Sequence, residues 1–402
     1  MRIALISTGQ RDEEPAPTIA GRSLILRQLD FARACGAERI IAHGNGVLED
    51  ATLLSDAARK AGLNFSVIGS AHALVPLVGM EDSLLVLQPR VLAEAPDAII
   101  ALEAGSAVLA FPARDIPGKA FERIDAETYW AGALLIPGEN VARLEELPED
   151  ADPPAALLRI ALQEGVRRTV LDRRMIARGL WGRSLPGDDR RGLVSARLGR
   201  AGDAGRDQPR APSRSLAAMA LRYSADILLR RAFIPLVVLA IGLLALCGGP
   251  VLAWFDFDIA AFAAIAAGGF LLELAFGLRR IALPAFSPPV LPRRIRHLPD
   301  LVIFLTGILA IEGIWYHRVF PPLMLIVALF AIGRSNGWSG AVADRVLGAS
   351  LVTLAAIGGW QEPALMAWAA CTTIVALFST PAAEGAPHAA ASPATRGLRP
   401  KP

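Results

Sequence analysis

Residues 232–251, AFIPLVVLAIGLLALCGGPV, run for twenty positions without a charged side chain. That is the length an α-helix needs to cross a hydrocarbon layer about 30 Å thick. Apolar runs of helical period continue beyond it to Ser379, broken by short charged clusters. They predict five or six spans, near Ala232–Val251, Ile259–Leu278, Leu298–Trp315, Val319–Ile332, Ala341–Ile357 and Ala364–Phe378, the fourth short for the purpose. Arg230, Arg231, the group from Arg279 to Arg296, and Arg334 alternate along the chain with Asp256 and Asp258 and with the group Glu312, His317 and Arg318. By the positive-inside rule the arginines mark the cytoplasmic side, which places both the N-terminal domain and the tail with Arg399 and Lys401 there. The expectation is a multi-pass protein of the inner (plasma) membrane.

The rest of the 402 residues has a different composition. The whole chain is 53% hydrophobic and only 20% charged, and most of its Arg, Asp and Glu precede residue 230. Such an asymmetry is that of a soluble domain joined to a membrane domain. The formal charge of +3 is carried by arginine clusters without interleaved aromatic residues, which argues for topology anchors and against a nucleic-acid surface. Cys35, Cys247 and Cys371 lie too far apart in sequence to suggest a metal cluster or disulfide framework, so no metal ligand is assigned. MRIALISTG has too short an apolar core for a signal peptide and reads as a buried first strand.

From that strand onward, strand and helix alternate. RIALIST (2–8) precedes a helix in LILRQLDFARAC, where Leu24, Leu26, Leu29 and Phe31 share an apolar flank. ERIIAHG, LNFSVIG, SLLVL and SAVLAFP read as further strands, with SDAARKAG and Ala95–Leu102 as helices between them. This order predicts an α/β fold, a mainly parallel sheet with helices on both faces. ALLRIALQEGVRRTVLDRRMIARGLWGRSLP is expected to close the domain with two helices. Ligands of such sheets sit beyond the carboxyl ends of the strands. Those ends carry Ser7, Thr8, Gly9, Gln10 and Arg11 after the first strand, and Gln88, Pro89 and Arg90 after a later one. A glycine there permits close approach of a phosphate and Arg11 supplies a charge to neutralise it, although a plain turn fits Gly9 equally well. His43 and His72, isolated in sequence, read as turn or surface histidines.

On ALISTG (4–9), IAGRSLILRQLDFARACGAERIIAHG (19–44), LLVLQPRVL (84–92) and FERIDAETYWAGALLIPG (121–138), the chain resembles the MobA-like nucleotidyltransferases that activate sugar and alcohol phosphates. The resemblance implies a Rossmann-type sheet and a nucleotide held at Gly9, Arg11 and Arg22. It also implies a sugar- or polyol-phosphate acceptor near Asp125, Trp130 and Gly132, with CTP and Mg²⁺ as cofactors if the domain is active. For Tyr129 and Trp130 a packing role at the sheet edge is the alternative. The chain departs from the family in several places. GQRDEEPAPTIAGR (9–22) lacks the second glycine and the lysine, acidic Asp12, Glu13 and Glu14 stand in the phosphate loop, and Gln88 follows LLVL where a magnesium-binding aspartate is expected.

The junction and membrane half extend the resemblance. GDDRRGLVSARLGR (187–200), followed by about six spans, resembles the linker and membrane domain of CDP-alcohol phosphotransferases. That family's Asp-Gly, Ala-Arg and paired aspartates are not matched, and ELAFGLRR (273–280) stands roughly where they belong, so the second active site is degenerate. Glu273, an acid inside an apolar run, is either functional or a structural partner of Arg279 or Arg280. The expected organisation is a nucleotidyltransferase-like domain in 1–185, a basic linker and juxtamembrane segment in 186–229, helical spans in 230–380 and a disordered tail in 381–402. Two functions follow. One is a membrane-bound nucleotidyltransferase and CDP-alcohol phosphotransferase-like protein of phospholipid or polyol-phosphate headgroup synthesis. The other is a catalytically inactive membrane scaffold or regulator derived from such an enzyme. The expected partners are membrane lipid, a nucleotide and a polyol phosphate, with homodimers formed through the membrane domain.

Overall fold

In a computed structural model the described residues are 1–8, 15–44, 48–115, 121–184, 211–229, 231, 233–287, 295, 297–332 and 339–378. Gly9, Gln10, Arg11, the acidic loop residues 12–14, the segment 185–210 and the tail 381–402 lie outside them. The chain divides into two compact units. One comprises Met1–Ala204, Arg214–Leu243 and Phe270–Ile295; the other comprises Gly205–Ser213, Leu244–Gly269 and Arg296–Pro402.

The α/β layer of the first unit begins with β1 (Arg2–Ser7), a small hairpin of β2 (Thr18–Ile19) and β3 (Arg22–Ser23), and α1 (Leu24–Ala34). β4 (Arg39–His43), α2 (Leu48–Lys60), β5 (Asn64–Ile68), β6 (Ser83–Leu87), β7 (Val91–Ala93), α3 (Pro96–Glu103) and β8 (Ala107–Pro112) follow. β9 (Thr128–Pro137), α4 (Pro153–Gln163), β10 (Arg168–Val170), α5 (Arg174–Ala177) and β11 (Trp181–Arg183) complete it. Seven strands form one sheet in the order β10-β8-β9-β6-β1-β4-β5. All pairs are parallel except those of β9, which runs antiparallel to both β6 and β8. The sheet is therefore mixed, and β9 is interior. That corrects the reading of Tyr129 and Trp130 as edge residues. The two helices expected at the end of the domain are α4 alone, followed by β10, one turn of α5, and β11 pairing with β7.

Alternation along the strands builds the two cores. Ala4, Ile6, Ile40, Ala42, Leu85 and Leu87 face α1 and α2, where Ile25, Leu29, Phe31 and Leu54 meet them. Ile3, Leu5, Ile41, Leu84 and Val86 face the other way, onto Leu157 and Ile160 of α4. Each Leu, Ile, Val or Phe among them contributes about 1.5–3 kcal/mol by leaving water, and a one-residue slip of any strand would turn its set to the wrong face.

The first unit also contains helical segments from the membrane half. Here α6 (Pro212–Leu228) precedes α7 (Ile234–Trp254) and α8 (Asp258–Ala282). Leu221, Ala225 and Leu229 pack on Leu274, Leu278 and Ile281 near the end of α8. Gly277 is a necessity there, because a Cβ would come within 2.3 Å of Leu221. Glu273 finds its partner in Arg214 of α6, Nε to Oε1 at 3.4 Å, rather than in the arginines nearby in sequence. The α/β layer meets these segments through Arg27. Its Nη1 bonds Glu94 at 2.6 Å with both side chains fully buried, and its Nη2 donates to the carbonyls of Ile19 at 2.6 Å and Ala282 at 3.2 Å. Four residues past α8, Phe286 packs edge-on against Phe31, which in turn meets Trp181.

The second unit holds α9 (Leu298–Ala310), α10 (Trp315–Ile332), α11 (Ser339–Val342), α12 (Arg345–Ile357) and α13 (Gln361–Phe378), with parts of α7 and α8. Among the described residues four helices, α7, α8, α10 and α13, are long and apolar enough to cross a membrane. α9 and α12 are apolar but of 13 residues each, roughly 20 Å at 1.5 Å per residue. The expectation of five or six spans thus becomes four of full length and two shorter helices. Small residues let the helices close up: a Cβ on Gly307 would meet Pro322 at 2.8 Å, and one on Gly348 would meet Trp368 at 2.1 Å. Asp300, almost fully buried, is held in a two-point pair by Arg345, with Nη2 to Oδ2 at 3.1 Å and a second bond from Nε.

Because Arg27 and Glu94 are buried together, removing one partner strands the other. Arg27→Met should lower the stability of the full chain by about 3–5 kcal/mol, as expected for an uncompensated buried charge. Arg27→Met combined with Glu94→Leu should recover much of that loss in denaturant unfolding. A cost for the single variant within experimental error would show that the pair does not hold the unit.

Candidate functional site

The carboxyl ends of β1, β4 and β6 lie side by side, with Ser7 in register with His43 and Ile6 with Leu87. The backbone N–H and Oγ1 of Thr8 both donate to the His43 carbonyl, at 2.9 and 3.2 Å. His43 is half-buried, its Nδ1 has no hydrogen-bond partner, and burial pulls its pKa below the ordinary 6.5. The imidazole is accordingly neutral near neutral pH.

Gln88 closes the central strand. Its N–H donates to the Gly132 carbonyl at 2.8 Å, and Gln28 of α1 donates from Nε2 to the carbonyls of Gln88 and Val91, both at 2.9 Å. The turn, with Arg90 at φ +60°, is therefore fastened to the helix behind it. Gln88 Oε1 is buried with no hydrogen-bond partner among the described residues. Gly132, at φ +84°, stands beside it: a Cβ there would lie 2.5 Å from Val91 and 3.0 Å from Gln88 Oε1. Glycine is the residue that tolerates both the φ and the space.

The acceptor residues anticipated from sequence go to different surroundings. Trp130 is fully buried, donating from Nε1 to the Ala133 carbonyl at 3.2 Å. Asp125 lies in an open depression of about 450 Å³ lined by Ile124, Leu162, Gly165, Val166, Arg167 and Arg168. There it accepts from the N–H of Glu127, the N–H of Thr128 and the Thr128 hydroxyl, each at 2.8 Å, and pairs with Arg168. The Thr128 hydroxyl first, then these other donors, lower its pKa to about 2. Its lone pairs are spent on its own turn.

The Gly21–Arg22 turn is also engaged. Arg22 Nη2 bonds Asp30 Oδ1 at 2.7 Å, while burial pushes the Asp30 pKa up against the pull of Arg22, Arg27 and Arg33. Ala20 and Gly21 both have left-handed backbone, φ +50° and +76°. A Cβ on Gly21 would fall 2.1 Å from the carbonyl oxygen of Leu229, so the end of α6 rests directly on the turn. Gly9 and Arg11, the other two nucleotide-binding candidates, lie outside the described residues.

Thr8, His43 and Gln88 present a hydroxyl, an imidazole and an amide at the strand ends. Magnesium prefers carboxylate and phosphate oxygens with octahedral geometry, so these residues do not fit it. Among the described residues no group of three or more His, Cys, Asp or Glu is placed to hold a metal. Sequence reasoning missed Gln28, whose contacts lie across 60 and 63 residues of chain. It read His43 as a turn or surface histidine, whereas the register of a parallel pair puts it at the end of β4 opposite Ser7.

Two outcomes follow. The folded-state pKa of Asp125 is depressed from 3.8 to about 2. Its contribution is therefore complete above the unfolded pKa and is lost as pH falls from about 4 through about 2. Asp125→Asn should flatten that part of the acid-unfolding curve and leave the remainder in place; an unchanged acid limb would refute the assignment. Gly62, at φ +74° with nothing within 4 Å, isolates the backbone cost of alanine in a left-handed position, about 1–2 kcal/mol. Gly21→Ala should cost more than Gly62→Ala in thermal unfolding, because the Leu229 carbonyl must also move. Equal costs would mean that α6 does not press on the turn.

No protein-family model and no curated protein matches the chain. Among solved structures, the chain is similar to a UDP-glucose pyrophosphorylase from Acinetobacter baumanii, with 15% identity over 50% of this chain and 94% of that one, at a TM-score of 0.33. It is also similar to the inositol-1-phosphate CTP transferase from T. maritima, again with 15% identity, over 43% of this chain and 86% of that one, at a TM-score of 0.33. Both likenesses are low in identity and in TM-score, and the functional reading rests on the residues of this chain.

Proposed function

We propose that this chain is a catalytically inactive membrane scaffold or regulator, built from a nucleotidyltransferase-like domain and a degenerate CDP-alcohol phosphotransferase-like helical domain. In this reading the α/β layer lies on the cytoplasmic side of the inner membrane, as the arginine distribution favours. It would serve phospholipid or polyol-phosphate headgroup synthesis by holding a partner enzyme or a lipid. The observation that carries the reading is the occupation of the Gly21–Arg22 turn. Of the three residues that the resemblance would give to a nucleotide, Arg22 is held by Asp30, and the Leu229 carbonyl stands against the neighbouring Gly21. Gln88 in place of a metal-binding aspartate supports it independently.

The enzyme reading keeps one specific support. Gln88 Oε1 and His43 Nδ1 are buried polar atoms without partners, and such atoms carry a desolvation cost that a bound ligand relieves. In that reading CTP and a polyol phosphate bind beyond the strand ends, with Gly9, Arg11 and Arg22 toward the nucleotide.

Calorimetric titration of the full chain in lipid nanodiscs with CTP, ATP and GTP, each with and without Mg²⁺, separates the two. The scaffold reading expects no heat of binding at millimolar nucleotide. Selective, magnesium-dependent binding that is weakened by Arg11→Ala would overturn it and restore nucleotidyl transfer as the function.

A further inference from the structure

Helix α6 has two apolar faces, and the protein covers only one of them. Ala217, Leu221 and Ala225, spaced by four, are 3%, 3% and 1% exposed against α8. Leu216, Met219 and Tyr223, spaced by three and four, form a second stripe that is 54%, 54% and 82% exposed. At 100° per residue this stripe lies on the side of the helix away from the buried face, and exposed Ser215 and Arg222 lie on one flank between the two. The helix is thus apolar toward its partner and away from it, with a polar flank between.

Its level along the neighbouring span identifies what covers the second face. α6 touches α8 between Glu273 and Ile281, through the Arg214–Glu273 pair, the Leu221–Gly277 contact and the cluster around Leu278. α8 has 25 residues, about 37 Å of helix against a hydrocarbon layer of about 30 Å. Arg279 and Arg280 in its last turn mark the level where hydrocarbon gives way to headgroups. α6 therefore packs along the last turns of α8 and reaches that boundary, and its chain passes on into the apolar helix α7 after Leu228. In the connection the Arg231 guanidinium lies 6.0 Å from the Phe233 ring centre, an arrangement suited to a cation reaching up from an apolar floor.

We propose that α6 is an in-plane lipid-binding helix, with Leu216, Met219 and Tyr223 seated among the acyl chains of the leaflet in which α8 ends and Arg222 directed to the headgroups. A helix takes this position when an exposed apolar stripe enters the headgroup–acyl boundary and a polar flank beside it stays at the headgroups. The assignment is independent of whether the α/β layer binds nucleotide.

The test uses the full chain in nanodiscs of phosphatidylcholine and phosphatidylglycerol, with Cys247→Ala and Cys371→Ala removing the exposed thiols. Cys35 stays, being buried with its thiol pushed up to about 12. Spin labels are placed singly at Met219→Cys, Tyr223→Cys, Ser215→Cys and Arg222→Cys, all surface positions that the fold does not need. Lipid seating expects labels at 219 and 223 to be several-fold more accessible to oxygen than to a water-soluble nickel chelate, with the order reversed at 215 and 222. Equal nickel access at all four positions would place the stripe in water and overturn the proposal. Exclusion of both reagents at 219 and 223 would mean that protein, such as a second copy, covers the stripe, and would overturn it too.

Discussion

A single buried guanidinium ties together the parts of the first unit. Arg27 gives one nitrogen to Glu94 and another to the carbonyls of Ile19 and Ala282. The three acceptors come from the segment that leads into α3, from the hairpin ahead of α1, and from the last residue of α8. Arginine suits this position because its planar fork holds several donors in fixed directions and stays charged when buried. A lysine would bring one point charge to a place that needs at least two directions. The pair itself adds little net stability, since desolvation offsets most of the attraction. Its effect is on geometry: other placements of these three segments would leave a buried charge or carbonyl without its partner.

The membrane half follows the same rule in a more exacting solvent. Charged groups within apolar helices are costly unless they are paired or reach the interface. Glu273 is met by Arg214 from α6, and Asp300 by two nitrogens of Arg345. In each pair the partners come from different helices, so the charges fix which helices adjoin and at what level. Van der Waals contact then completes the fit, through glycines at 307 and 348 that admit a proline ring and an indole. Packing without the charge pairs would leave the helices free to slide, because lipid tails are as apolar as the side chains they replace.

Period and composition made much of this legible in advance. The strands at RIALIST, ERIIAH and SAVLAFP and the long helices α7 and α8 are patterns of two and of 3.6, written locally. For β9 an edge position was one of the readings, because its antiparallel entry between β6 and β8 depends on pairings 46–54 residues away on one side and 16–28 on the other. The partner of Glu273 lies 59 residues earlier, beyond any helical spacing, so the nearby Arg279 and Arg280 were the natural but mistaken candidates. α6 fell inside a stretch that reads as linker, since its own apolar arc is divided between two faces and its flanks are rich in Gly, Asp and Arg. The acceptor residues illustrate a different limit. Asp125, Trp130 and Gly132 are close in sequence, yet Asp125 lies in a surface depression before β9, Trp130 in a core, and Gly132 in left-handed backbone against Gln88 and Val91.

The Gly21 turn has a backbone shape that can receive a ligand or a segment of its own chain. A left-handed glycine without a Cβ lets an oxygen-bearing group approach the backbone, and that holds for a phosphate oxygen and a peptide carbonyl alike. Here the oxygen is that of Leu229, delivered covalently by the chain's own helix. An attached group needs no concentration in solution: tethering makes its local concentration effectively high, so a free ligand of the same chemistry competes poorly for the turn. Under the scaffold reading, Gly21 and Arg22 are the residues of this turn that α6 and Asp30 use, and they need no nucleotide to account for them.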